Sequence, residues 1–133
     1  MRRAIIERAK ITIGGTVLAK YSAFRHELEV IMVVKTNDSL FGVVTRGRRA
    51  HQAFYLEDGQ EIEVKGNIVE TSVPLENGWK PILSIHCSHM RIGNSLQKVD
   101  SPFPDYFEMS KNEIFRKITA HNEDKFACTA NCR

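Results

Sequence analysis

From Glu61 to Val69 the chain reads Glu-Ile-Glu-Val-Lys-Gly-Asn-Ile-Val, and its first five residues alternate strictly between polar and apolar. In an extended backbone successive side chains leave on opposite sides, so this segment is a strand with one wet face and one buried face. The same grammar holds from Lys10 to Ile92, where runs rich in β-branched residues are broken at regular intervals by turn formers. The first run, Ile11 to Leu18, carries Gly14-Gly15, a pair expected to mark a bulge or bend that lets one strand serve two sheets. A second runs from Leu28 to Lys35. It ends at Thr36-Asn37-Asp38-Ser39, a turn leading into Leu40-Phe41-Gly42-Val43-Val44 as the third. Residues 61–69 form the fourth, and Asn77-Gly78 is a hairpin signal before a fifth from Pro81 to Ile92.

Between the third and fourth strands the period changes. Ala50, Ala53 and Phe54 stand at i, i+3 and i+4, which predicts a short helix with all three on its core side. Glu57-Asp58-Gly59-Gln60 then turns the chain. An all-β chain of five strands with a helix after the third has the element order of an OB-fold barrel. Past Ile92 the sequence is unsuited to strand, through Gly93-Asn94-Ser95 and Ser101-Pro102-Phe103-Pro104. Ser110 with Glu113 forms a capping-box pattern and Ile114, Phe115 and Ile118 make one apolar stripe, predicting a helix over 111–121 that needs a surface to pack on. The expected division is therefore a barrel over 1–93 and an extension over 94–133.

Composition narrows the function classes. At 133 residues, 42% hydrophobic and 26% charged, the chain can bury a core without disulfides or metal and lacks the profile of a disordered segment. No apolar run approaches the roughly 20 residues needed to span a bilayer. The start, Met1 to Ile6 followed by Glu7, Arg8 and Lys10, is unlike a signal peptide, so a cytoplasmic protein is expected. Three cysteines, an odd number, argue against a secreted disulfide framework. Cys128 and Cys132 with His121 do not have the spacing of a zinc site, and no metal or cofactor is expected. His86 and Cys87 fall on opposite faces of a strand, and no phosphate loop, nucleophile elbow or carboxylate pair is present; the expectation is a protein that is not an enzyme.

The stretch Phe41-Gly42-Val43-Val44-Thr45-Arg46-Gly47, then Ala50, Ala53 and Leu56, then Asp58-Gly59-Gln60-Glu61-Ile62-Glu63-Val64-Lys65-Gly66-Asn67-Ile68, resembles the third strand, helix and fourth strand of the bacterial single-stranded DNA-binding protein family. Gly15-Thr16-Val17 is similar to that family's opening strand, and Asn77-Gly78 to the hairpin before its last one. Primosomal protein B-like relatives offer an equally good comparison. The likeness covers about residues 10–93 and rests on glycines and apolar spacing. It departs at the end, Cys128-Thr129-Ala130-Asn131-Cys132-Arg133, where the family carries an acidic tip. What it implies is a homodimer or homotetramer that binds single-stranded DNA without sequence preference, in replication, recombination or primosome assembly. Two other readings stay open: a protein-interaction barrel docking through the helix over 111–121, and an RNA-binding OB domain.

Single-strand binding requires cations that follow the phosphates and aromatic faces on which bases stack. The net charge is only +3, but residues 1–51 hold ten Lys/Arg against four Asp/Glu, a basic half. Its densest cluster, Arg46, Arg48, Arg49 and His51, follows the third strand and is either a phosphate-tracking edge or a solvated helix start. Lys20, Tyr21, Phe24 and Arg25 fall in the expected loop between strands one and two, where the aromatics either stack on bases or cap the barrel end. Trp79 and Lys80 stand at the expected tip of the last hairpin, with Trp79 either a stacking platform or a buried residue. Lys35 and Phe41, flanking the turn between strands two and three, complete the candidate set.

Overall fold

One strand is used twice, and that is how the sheet closes. The computed structural model describes residues 4–7, 10–24, 26–37, 39–75, 78–98 and 114–122. Strand β1 (Ala4–Glu7) pairs antiparallel with the start of β2 (Lys10–Phe24). The first half of β2 also pairs with β5 (Gln60–Leu75), from Lys10↔Asn67 to Thr16↔Glu61. Its second half pairs with β3 (Leu28–Lys35), from Thr16↔Lys35 to Phe24↔Leu28. The register shift that allows this lies between Val17 and Ala19, just beyond the expected glycine pair. β3 pairs with β4 (Leu40–Arg46), helix α1 (Arg48–Phe54) follows, and β6 (Gly78–Leu96) joins β4 in parallel and β5 antiparallel. The sheet order β1-β2-β3-β4-β6-β5, closed by β2 against β5, is a five-stranded OB-fold barrel with β1 added outside it.

Three boundaries differ from the sequence-based expectation. Residues 20–24, expected in a loop, continue β2 in register with β3, because Ala19 and Tyr21 each find a buried place on one side of that strand. β1 has no counterpart in the sequence-based reading; four residues with two isoleucines carry too little periodicity to read. β6 runs on to Leu96, held by the turn it meets: Gln97 N donates to Gly59 O at 2.8 Å, and Gly59 N donates to Val17 O at 2.7 Å. Gly59 adopts φ 95°, and a Cβ there would stand 1.8 Å from the Gln97 carbonyl oxygen, so only glycine fits this junction.

Two apolar clusters hold the molecule. The first fills the barrel with Ile13, Val17, Val30, Met32, Val34, Val43, Ile62, Val64 and Ile85, and α1 closes one end through Ala50, Ala53 and the following Leu56. The second lies outside the barrel. Ala19 and Tyr21 of β2, Ile31 and Val33 of β3, and Leu40 and Val44 of β4 pack against Ile114, Phe115 and Ile118 of helix α2 (residues 114–122). Each buried side chain of that size contributes about 1.5–3 kcal/mol of burial, so α2 is held firmly. Among the described residues no helix is long and apolar enough to cross a membrane.

Candidate nucleic-acid interface

Helix α1 enters from Gly47, which has φ 61° and accepts the His51 amide at 3.1 Å. Its seven residues turn Ala50 and Ala53 inward, because the barrel end admits only small side chains there. Helical phase then sends Arg48, His51, Gln52 and Tyr55 outward at i, i+3, i+4 and i+7, and all four are exposed. Arg49 is also exposed. Phe54, expected in the core, is 43% exposed: the alanines take the barrel side and leave no room for a ring beside them. Its ring meets Tyr55 edge to face, with centroids 5.3 Å apart and planes at 82°. Lys20 of β2 donates from Nζ to the Phe54 carbonyl, and its ammonium lies 5.8 Å from the Phe54 ring centroid.

Around this end the candidate residues divide. Arg46 is bound to Glu29 across the β3–β4 pair, Nε to carboxylate at 2.9 Å, so it is not a solitary phosphate ligand. Lys35 is exposed at the far end of β3, away from α1. Phe41 is half-buried and packs against the barrel core. Tyr21 is 7% exposed and sits under α2; it is neither in a loop nor open to a base. Trp79 pairs with Pro74 and Lys80 with Val73, next to the turn of the long β5–β6 hairpin where they are expected. The side chains of Phe24, Trp79 and Lys80, and Arg25 as a whole, lie outside the described residues. Cys128 and Cys132 lie outside them too.

Sequence reasoning missed Tyr55 and the exposure of Phe54. The signal was present: with two alanines fixing the inward face of a short helix, position 55 falls on the row of Arg48 and His51. Cys87, near Arg49, shows no sign of activation. Burial pushes its thiol up, and the Arg49 guanidinium and a backbone hydrogen bond from His89 only partly oppose that, so it stays protonated at neutral pH. Among the described residues no group of three or more His, Cys, Asp or Glu could hold a metal ion.

No protein-family model and no curated protein matches the sequence. The fold has solved counterparts. The crystal structure of Rim1, the mitochondrial single-stranded DNA-binding protein of S. cerevisiae, superimposes with a TM-score of 0.52 at 11% identity, covering 65% of this chain and 96% of that one. That likeness establishes the shared barrel architecture.

Proposed function

We propose that this protein binds single-stranded nucleic acid, DNA foremost, with little sequence preference. The observation that carries the reading is the exposed surface of α1, where Arg48 and Arg49 stand at the same end of an OB barrel as the exposed rings of Phe54 and Tyr55. Cations for phosphates and rings for bases are the two parts single-strand binding needs. The architectural likeness to Rim1, a protein named for that activity, supports it. In the cell we place the activity in replication, recombination or primosome work in the cytoplasm, carried out by a homodimer or homotetramer. The rival docking role for the C-terminal helix is weakened, since its apolar stripe is already buried on its own barrel.

Fluorescence anisotropy with labelled oligo-dT of several lengths, at two salt concentrations and against a duplex control, tests the reading. Tighter binding to single strands, weakening as salt rises, is expected. Equal affinity for duplex would refute it, and tighter binding to the ribose strand would move the assignment to RNA. Neutralising Arg48 and Arg49 together should lower the log-log salt slope by about 0.7 for each phosphate that is no longer neutralised.

A further inference from the structure

We propose that Tyr55, supported by Phe54, is the base-stacking platform of this protein, in place of the outer β3–β4 surface. The inference rests on the single-strand binding reading above and adds where the bases go.

OB barrels commonly receive oligonucleotides on the face of their second and third strands, here β3 and β4. In this protein that face is occupied by the chain itself. The Phe115 ring lies so close to Gly42 of β4 that a Cβ at that glycine would stand 2.3 Å from it. The Asn122 side chain takes both backbone groups of Leu40, accepting from its N–H at 2.9 Å and donating to its carbonyl at 3.0 Å. The one described aromatic of the second cluster besides Phe115, Tyr21, is buried beneath α2. A glycine socket for a ring and a two-point backbone clasp make α2 a fitted cover.

Around the end of α1 the situation is reversed. Tyr55 is 79% exposed, more than any other large hydrophobic residue among those described. An edge-to-face pair has four ring faces and covers only one of them, so flat π-surface remains open for a base. The Lys20 ammonium bonded to the Phe54 carbonyl ties the end of the helix to β2 and adds positive charge beside the rings. Arg48 and His51 continue the same outward row as Tyr55, so a positive charge and a ring N–H donor for a polyanion lie on one line with it. Single-stranded nucleic acid is the occupant that uses both the rings and the cations.

The test compares oligo-dT binding by the full chain, Tyr55→Ala, Tyr55→Phe and Phe54→Ala, with thermal melting of each to confirm folding. Tyr55→Ala should weaken binding roughly 5- to 150-fold, the span of one base stacked on one ring, while Tyr55→Phe stays within about twofold. Phe54→Ala should fall between them. An unaltered protein that binds no oligonucleotide sinks the functional reading and the platform with it. If the unaltered protein binds and Tyr55→Ala binds equally well, the platform alone is wrong; if Tyr55→Phe loses as much as Tyr55→Ala, the hydroxyl acts and stacking is refuted.

Discussion

Strands β3 and β5 belong to the same barrel and treat their outer faces in opposite ways. In β5, Ile62 and Val64 point into the core while Glu61, Glu63 and Lys65 meet water, at least in part. In β3, Val30, Met32 and Val34 point inward, and Ile31 and Val33, on the other side, are just as buried. The difference is α2, which makes the outside of β3 a second core. A barrel needs only one buried face per strand, so an unbroken apolar run such as Val30-Ile31-Met32-Val33-Val34 announces that something else covers the strand. It also means that the open surface of this barrel has moved away from the face of β3 and β4.

The strongest way to break this comparison is to empty the cover. Phe115→Ala removes a ring that is 4% exposed and seated on Gly42, and should cost about 3–5 kcal/mol in urea unfolding. Glu63→Ala, on the wet face of β5, should stay within about 0.5 kcal/mol. A loss below about 1 kcal/mol for Phe115→Ala would mean that α2 merely rests on the barrel and that the β3–β4 face is accessible to ligands after all.

Much of the barrel was legible because β-strands and turns announce themselves locally. The alternation at 61–65, the turn at 36–39 and the glycine at 59 each fix a feature with residues a few positions apart. The second core was not read because it joins Leu18 and Ile31 to Ile118, far along the chain, and an apolar stripe says that a helix packs without saying where. The candidate site divided in the same way. The cations of α1 could be read as a cluster, but the pairing of Arg46 with Glu29 depends on strand register, and the burial of Tyr21 depends on α2. Phe54 was misplaced because i, i+4 spacing from Ala50 identifies a face only to within the width of a side chain, and the barrel end had no volume left for a ring.

A smaller effect is expected at the clasp. Asn122→Ala deletes two hydrogen bonds to the Leu40 backbone, which then lack a partner at a half-buried position. A neutral hydrogen bond contributes about 0.5–1.5 kcal/mol net, so a loss of about 1–3 kcal/mol is expected, with amide exchange rising first at Leu40. Unchanged protection at Leu40 would show that water replaces the side chain freely and that the apolar seam alone retains the end of α2.

The smallest effect sharpens the comparison at the surface, where, among the described residues, β3 and β5 both carry a cross-strand ion pair. Glu29 of β3 meets Arg46 at 2.9 Å, and Glu63 of β5 meets Arg91 at 3.3 Å. The arginine side chains are 51% and 71% exposed and the glutamates 24% and 29%, so both pairs are well solvated. Exposed pairs of this kind contribute about 0.2–1 kcal/mol, because Coulomb attraction is weak in water and two long side chains must be ordered. Double-mutant cycles with Glu29→Gln/Arg46→Gln and Glu63→Gln/Arg91→Gln should therefore return small couplings, the first the larger since its partners are closer and less exposed. At 1 M salt the Debye length falls to about 3 Å, and both couplings should shrink toward zero. The first pair has a second consequence for ligand binding: Glu29→Gln releases Arg46 beside α1 and removes a negative charge, so oligo-dT affinity should rise, whereas Glu63→Gln leaves it unchanged. Equal gains from both substitutions would mean that net charge alone governs binding, with no site at the end of the barrel that α1 closes.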